Sequence, residues 1–271
     1  MGGSLGLALR ARGAGFQVRG HDRDPGVARR AVDRGAIDSV AGAAAEALEG
    51  AEMVFTAVPP RTALDLVPAL LPRLEEDCVL ADLSSVMLPL LERVGADPAA
   101  AARFVPSHPL CGSERDGIEA ARGDLYRGRT ILLGGSPDPG GAAERVEAVW
   151  RELGAVPRPI DPAEHDALLA LTSHLPLLAS AALVRALRGS DRPAADLAAA
   201  VGPGFRDASR LAGSSPDLWA EILRLNARDI EPALRGLERE IGELRRALAE
   251  DPARLRALLA EARAFRGELG A

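Results

Sequence analysis

The first 160 residues alternate short apolar runs with amphipathic stretches. Near-continuous apolar runs predict strands over residues 16–22, 53–58, 78–83, 103–105 and 130–133. Apolar positions at helical spacing predict helices over residues 3–13, 25–34 and 61–74. Buried strands that alternate with helices are typical of a parallel sheet covered on both faces. The pattern therefore predicts an α/β fold with a doubly wound parallel sheet.

The pattern changes near residue 160, beyond which strand signals are almost absent. Helical periodicity covers residues 163–188, with Pro176 inside, and then residues 194–201, 216–234 and 237–271. No internal repeat interrupts the chain. We therefore expect two domains, an α/β domain over residues 1–160 and an all-helical domain over residues 161–271.

Composition narrows the classes of function. Acidic and basic residues are interspersed and the net charge is −6, so we expect neither nucleic acid nor a membrane surface as a partner. No uninterrupted apolar run reaches ~18 residues, which predicts no membrane span. Cys78 and Cys111 lack partners at metal-ligand spacing, which predicts reduced thiols in a cytoplasmic protein and no metal site. The sequence contains no lysine, which excludes Schiff-base chemistry and a Walker-type phosphate loop.

The N-terminal segment has the pattern that ends a dinucleotide-binding fingerprint. Gly2, Gly3 and Ser4 begin the first helix, and Asp22 ends a predicted strand 20 residues after Gly2. That offset separates the last glycine of G-x-G-x-x-G from the acidic residue that binds the adenosine ribose in Rossmann-type folds. A carboxylate there favours NAD because it repels a 2′-phosphate, although neighbouring Arg23 leaves room for NADP.

The strand that precedes this helix in a Rossmann-type fold is missing from the sequence, together with the first two glycines. That strand is central in such a sheet, so its omission would leave two neighbouring strands unpaired. We expect a start codon assigned too late, or a truncated chain, in preference to a native design.

Four segments in the rest of the chain resemble one enzyme family, in the order that the family has them. They are residues 82–86 (DLSSV), 104–114 (FVPSHPLCGSE), 161–176 (DPAEHD followed by TSHLP) and 201–219 (VGPGFRDASRLA followed by SSPDLW). Together with the Asp22 region they cover essentially the whole sequence. The chain is similar to prephenate and arogenate dehydrogenases, the cyclohexadienyl dehydrogenases.

The resemblance implies NAD-dependent oxidative decarboxylation of a cyclohexadienyl ring in tyrosine biosynthesis, by a homodimer joined through the helical domain. His108 suits the role of catalytic base, because a neutral imidazole can accept the hydroxyl proton and the residue follows a strand. Ser85 would be the second catalytic residue. The substrate would bind Arg210, Ser113, Glu114, Asp207, His174 and Gly204. The cofactor would bind Gly2, Gly3, Ser4, Asp22, Arg23, Val58, Pro59 and Ser84.

Three positions depart from the family pattern. Met87 replaces a lysine, Leu177 replaces a second histidine, and Pro203 replaces a glycine. The first two changes bear on substrate choice. The sequence therefore leaves open whether the substrate is prephenate, arogenate, or the 4-amino-4-deoxyprephenate of a secondary pathway.

Two other interpretations compete with this one. A β-hydroxyacid dehydrogenase shares the layout but uses a lysine, which this chain lacks. A non-catalytic truncated remnant would explain the missing strand, Met87 and Leu177. The retention of His108, Ser85, Asp207 and Arg210 argues against a remnant, because drift need not spare them.

Overall fold

The computed structural model describes residues 1–13, 15–95, 97–112, 117–134 and 141–270. The strands are β1 (Arg19–Gly20), β2 (Ser39–Val40), β3 (Met53–Thr56), β4 (Val79–Asp82), β5 (Phe104–Pro109), β6 (Thr130–Gly134) and β7 (Val156–Ile160). The helices of the first lobe are α1 (Gly2–Ala11), α2 (Pro25–Asp33), α3 (Pro60–Leu70), α4 (Leu88–Val94), α5 (Pro98–Ala101) and α6 (Ala142–Glu152). The second lobe is formed by α7 (Pro162–Leu169), α8 (Leu175–Arg188), α9 (Ala194–Ala200), α10 (Pro203–Ser209), α11 (Pro216–Leu225), α12 (Ala227–Glu250) and α13 (Pro252–Glu268).

The main sheet has five strands in the order β3-β4-β5-β6-β7. Its pairs are parallel except for β5 and β6, which run antiparallel. The predicted parallel sheet is thus mainly parallel, with one antiparallel pair that the sequence did not indicate. A parallel connection needs a crossover of a dozen or more residues, usually an α-helix. The described part of the β5–β6 connection holds only a short 3₁₀ turn, Ile118–Ala120, and the chain returns antiparallel.

Strand β7 lies in the segment that sequence analysis treated as a domain boundary. Pro157 and Pro159 hide the strand signal, because proline cannot donate a ladder hydrogen bond. The strand forms at these positions because β7 is at the edge of the sheet and pairs only with β6.

Strands β1 and β2 form a separate two-stranded parallel sheet. The strand predicted over residues 16–22 contributes only two residues to it. Within the described residues β1 does not pair with β3, and a doubly wound order would put the missing strand between them. Three of the four residues of β3 are only half-buried, whereas all four residues of β4 are buried.

Helices cover both faces of the main sheet. One core cluster packs Leu5 and Ala8 of α1 and Trp150 of α6 against β4, β5 and β6, and a second packs α3 and α4 against β4 and β5. Helix α1 approaches the turn after α2 so closely that a Cβ on Gly6 would lie 2.1 Å from the carbonyl oxygen of Ala36. This packing fixes the position of the N-terminal end of α1.

The long helix predicted over residues 163–188 is interrupted once. A π-helical turn, Ala170–His174, separates α7 from α8. Pro176 explains the turn, because it lacks an N–H for the carbonyl of Thr172 and its ring crowds that carbonyl. The C-terminal helices also break differently from the prediction, at Asn226 and at Asp251, and α12 continues through residues 234–237.

The stretch Pro162–Arg188 is long and apolar enough to cross a membrane by length and composition alone. The prediction of no membrane span required an uninterrupted apolar run, and that criterion was too strict. Its inner side carries the buried polar residues His165, Asp166 and His174. A cluster of Met87, Leu132 and Leu169 also packs this stretch onto the sheet lobe. These contacts hold one side of the stretch against the rest of the chain, and only 28% of its most apolar window is buried.

Candidate active site

His108 lies near the carboxyl end of β5, where the sheet lobe meets α7. Its Nδ1 is 2.9 Å from Nε2 of His165, and the two rings meet edge to face with centroids 5.1 Å apart. His165 is 0% exposed, and its Nδ1 is 2.7 Å from Oδ1 of Asp166. Three side chains therefore form a continuous hydrogen-bonded chain from α7 to the end of β5.

The Asp166 carboxylate also binds the sheet lobe directly. Its Oδ1 accepts the backbone N–H of Met87 and its Oδ2 accepts that of Leu88, each at 2.9 Å. These N–H groups belong to the first turn of α4, so Asp166 caps that helix from the other lobe. The turn 84–87, which carries Ser84 and Ser85, is held against α7 by these two bonds.

The imidazole of His108 is held in its neutral form. Burial, the largest cause, and the neighbouring rings of His165 and His174 lower the pKa of His108 to about 3. A base must be unprotonated before it can accept a proton. The neutral form is therefore already populated throughout the physiological pH range.

His174 is 1% exposed and lies in the π-helical turn. The side-chain amide of Asn226 donates to His174 Nδ1 at 3.1 Å and to the carbonyl oxygen of Asp166 at 2.8 Å. The ring also contacts Trp219 edge to face. Burial, the largest cause, lowers the pKa of His174 to about 4. His174 is thus a neutral ring wedged between α11, α12 and the chain segment that carries Asp166.

The carboxyl ends of β3 and β4 support the serine turn. Thr56 Oγ1 donates to Asp82 Oδ2 at 2.5 Å, and the backbone N–H of Ser84 donates to Asp82 Oδ1 at 2.9 Å. Burial raises the pKa of Asp82. Ser84 is buried and Ser85 is half-buried, so only the second serine has appreciable exposure.

The residues predicted to bind the cofactor lie at the start of α1 and at the ends of β1 and β3. Gly2 sits against Ala57, where an added Cβ would come within 3.2 Å of the alanine Cβ. Ser4 is buried and its hydroxyl accepts the backbone N–H of Arg122 at 3.0 Å. The exposed or half-buried members of the set are Asp22, Arg23, Val58 and Pro59.

This arrangement fits a dinucleotide. Gly2 and Gly3 put no side chain at the N-terminus of α1, whose first N–H groups have no partner within the helix. A Cβ on Gly3 would collide with Ile118 at 2.4 Å. The exposed carboxylate of Asp22 follows β1, and its Oδ1 accepts the N–H of Asp24 at 2.9 Å. Backbone donors and a fixed carboxylate match the pyrophosphate and ribose of such a cofactor.

The residues predicted to bind the substrate are divided between described and undescribed parts of the chain. Asp207 and Gly204 are exposed on α10, and Arg210 is exposed in the 3₁₀ turn Arg210–Gly213. That turn docks on α8, where Ser180 Oγ accepts the N–H of Ala212 at 3.0 Å. Ser113 and Glu114 lie outside the described residues.

Asp207 and Arg210 are three residues apart, but no ion pair within 4.0 Å joins these two described side chains. Met87 and Leu177 are both buried, and Met87 packs with Leu132 and Leu169 between the lobes. An apolar side chain at 87 therefore fills an interior position where a lysine ammonium would need a partner.

Sequence reasoning missed three residues of this site: His165, Asp166 and Asn226. The signal for two of them was present as the His-Asp pair in the 161–166 segment, but neither was assigned a role. Asn226 carries no sequence signal, because it lies inside the helix predicted over residues 216–234, which the structure divides at this residue.

Comparison with known proteins identifies the family of the chain. The model of the family described as "Prephenate dehydrogenase, nucleotide-binding domain" matches residues 5–157, and that of "Prephenate dehydrogenase, dimerization domain" matches residues 161–261. The cyclohexadienyl dehydrogenase of Zymomonas mobilis is 30% identical over 253 residues, which cover 92% of this chain and 85% of that protein. The prephenate dehydrogenase of Bacillus subtilis is 27% identical over 255 residues, covering 93% of this chain and 69% of that protein.

Solved structures give the same result. The prephenate dehydrogenase of Aquifex aeolicus, in complex with hydroxyphenyl propionate and NAD⁺, superposes with a TM-score of 0.90 at 30% identity, covering 98% of this chain and 94% of that chain. Synechocystis arogenate dehydrogenase superposes with a TM-score of 0.80 at 26% identity, covering 98% of this chain and 95% of that chain. The predicted fold class, a Rossmann-type domain followed by a helical domain, is confirmed. The chain belongs to the prephenate dehydrogenase family.

Proposed function

We propose that this chain catalyses the NAD-dependent oxidative decarboxylation of prephenate or arogenate in tyrosine biosynthesis, with His108 as the base. Membership of the family makes it an NAD-dependent oxidoreductase. The observation that carries the catalytic assignment is the hydrogen-bonded chain His108–His165–Asp166, because it ends on an imidazole at the carboxyl end of a sheet strand. Ligands of open α/β sheets bind outside the carboxyl ends of the strands.

The reaction needs one base and several positioning contacts. His108 accepts the proton of the ring hydroxyl while that carbon loses a hydride, and the ring carboxylate leaves as CO₂. NAD, when bound, accepts the hydride. Loss of CO₂ makes the ring aromatic, so the chain has to orient the substrate and remove one proton. Ser85, on the turn fixed by Asp166, hydrogen-bonds the same hydroxyl.

The cofactor site is proposed at the N-terminus of α1, with Gly2, Gly3 and Ser4 lining the pyrophosphate. Asp22 binds the adenosine ribose and selects NAD over NADP by repelling a 2′-phosphate. The Aquifex aeolicus relative was solved with NAD⁺, which supports this choice. Arg23, Val58, Pro59 and Ser84 complete the set.

The substrate's ring carboxylate is proposed to bind Arg210, whose guanidinium can form two parallel hydrogen bonds to it. Gly204 and Asp207 precede Arg210 in the chain and are proposed as further substrate contacts, as are Ser113 and Glu114, which lie outside the described residues. We propose that His174 supports the substrate site from the interior of the helical lobe, since its ring is buried against Asn226 and Trp219.

Prephenate and arogenate differ in the side chain of the ring, a pyruvyl group in one and an alanyl group in the other. The relatives named above include a prephenate dehydrogenase, an arogenate dehydrogenase and a cyclohexadienyl dehydrogenase. Leu177 is an apolar residue where the family pattern has a histidine, so we propose that the chain accepts more than one side chain. The hydrogen-bonded chain His108–His165–Asp166 argues against a non-catalytic remnant, because mutation has not disrupted it.

We also propose that the protein is a cytoplasmic homodimer joined through the helical lobe. The helical lobe matches the family's dimerization domain. Leu168 on α7 and Leu171 in the π-helical turn are 45% and 57% exposed, and Ile241 on α12 is 56% exposed. Leu168 and Leu171 are three residues apart and so are neighbours on the helix surface, and contiguous exposed apolar side chains are typical of surfaces that associate.

The test is steady-state kinetics of the purified protein with prephenate, arogenate and 4-amino-4-deoxyprephenate, each with NAD and with NADP. We expect turnover of prephenate or arogenate with NAD. The His108→Asn variant should lose activity by ~10²–10⁴-fold, the usual contribution of a general base, while the Kd for NAD stays the same. The assignment is wrong if the wild-type protein reduces NAD with none of the three, or if His108→Asn retains full activity.

A further inference from the structure

The side chains behind His108 determine which of its ring nitrogens carries the proton. Oδ1 of Asp166 accepts from both the N–H of Met87 and the ring of His165, and Oδ2 accepts from Leu88. A carboxylate with this set of neighbours can only accept hydrogen bonds. Nδ1 of His165 must therefore be the donor in its bond to Asp166.

The donor role of His165 Nδ1 determines the donor and acceptor roles in the next hydrogen bond, between His165 and His108. A neutral imidazole that donates through Nδ1 has its lone pair on Nε2. Nε2 of His165 therefore accepts, and Nδ1 of His108 donates to it across 2.9 Å. The lone pair of His108 is then on Nε2, which has no hydrogen-bond partner among the described residues. Reversing any one bond would put two N–H groups, or two lone pairs, face to face.

We propose that Asp166 and His165 are positioning residues that hold His108 in its Nδ1–H tautomer, so that Nε2 is presented to the substrate as the base. The inference rests on the proposed function for its catalytic meaning. The arrangement follows the logic of a catalytic triad, in which a buried carboxylate fixes the tautomer of the histidine that acts. Here a second imidazole is inserted between carboxylate and base.

The same carboxylate joins the tautomer to the docking of the lobes. His165 and Asp166 belong to α7 of the helical lobe, while His108, Met87 and Leu88 belong to the sheet lobe. Asp166 therefore places the serine turn and sets the proton on His108 through bonds that all cross between the lobes. The base is therefore in one lobe, and the residues that set its tautomer are in the other.

The direct test is the ¹⁵N NMR spectrum of the ring nitrogens, recorded on ¹⁵N-histidine-labelled full-length protein at neutral pH. The chain has four histidines, so each signal can be assigned by single substitution. We expect a protonated Nδ1 and an unprotonated Nε2 for His108. A His108 ring protonated on Nε2 in the wild-type protein would overturn the proposal, whether or not the protein is an active dehydrogenase.

Asp166→Asn gives the second test. The asparagine keeps only one of the two oxygens of Asp166, so an NH₂ group faces either Leu88 N–H or the side of His165 Nδ1 and Met87 N–H, and the acceptor that fixes the His165 ring is lost in the second orientation. We expect a fraction of His108 rings protonated on Nε2 in the spectrum and a fall in kcat that matches this fraction, with the Kd for NAD little changed. Retention of both the wild-type spectrum and the wild-type kcat would contradict the proposed role.

Three further variants separate positioning from folding. Asp161→Ala removes the N-cap of the same helix, where Asp161 accepts the N–H groups of Ala163 and Glu164, without touching the histidine side chains. It should lower the melting temperature but keep kcat. His165→Gln keeps an acceptor near Nε2 and should retain more kcat than His165→Leu, which removes it. Equal kcat for these two His165 variants, at equal melting temperature, would show that the hydrogen bond to His108 has no role.

Discussion

Acidification should destabilise the protein through His174, and the size of the effect follows from its burial. Burial lowers the pKa of His174 from 6.5 to about 4 in the folded chain, while the unfolded chain keeps the ordinary value. Below pH 6.5 the unfolded chain therefore binds a proton that the folded chain does not. The free energy of unfolding is fully maintained above pH 6.5, falls as the pH drops, and levels off below pH 4 for this group.

These two pKa values predict a loss of about 2 kcal/mol of unfolding free energy from His174 between pH 7 and pH 5. The assay is urea denaturation of wild-type protein and of His174→Gln at both pH values, at fixed protein concentration. Glutamine can still accept the hydrogen bond from Asn226 but does not titrate in this range. Other groups titrate equally in both proteins, so the quantity compared is the difference in pH dependence.

We expect the wild-type protein to lose about 2 kcal/mol more than His174→Gln over this range. An equal loss in the two proteins would refute the reasoning, because it would mean that the ring titrates normally and is not buried in its neutral form.

Two other substitutions test the proposed substrate site and the packing of α1. Arg210→Ala should chiefly raise KM for the cyclohexadienyl substrate, because it removes the carboxylate contact; an unchanged KM would remove Arg210 from the pocket. Gly6→Ala puts a methyl group 2.1 Å from the carbonyl oxygen of Ala36 and should cost about 1–3 kcal/mol of unfolding free energy. The matched control is Gly267→Ala on α13, which faces open space and should be neutral or slightly stabilising; similar losses in these two glycine variants would contradict the close approach.

Much of the sheet lobe could be predicted from the sequence. Residues 53–58, 78–83, 103–105 and 130–133 are near-continuous apolar runs, and each contains or overlaps a strand of the main sheet. A strand buried on both faces leaves this signal because every side chain meets a packed layer. Strand β7 was not predicted because its prolines mask the strand signal. A strand that contains these prolines can form here because β7 is at the edge of the sheet.

The base was predictable, but the residues that orient it were not. His108 could be singled out because it follows an apolar run in a segment that resembles a known family. The partner of His108 lies 57 residues away on another lobe, and the partner of that imidazole is the adjacent residue in the chain. Such a contact depends on how two lobes dock. The His-Asp pair at positions 165 and 166 is visible in the sequence, but its spacing does not show which side chain of the other lobe it meets.

Pro162–Arg188 has two different sides. The inward side holds the carboxylate and imidazole that orient the proposed base, whereas Leu168 and Leu171 on the outward side remain largely uncovered. If dimerisation covers the outward side, the same helical stretch forms the subunit interface and carries the residues that orient His108. Dilution below the dissociation constant of the dimer would then slow catalysis although no residue of the pocket had changed.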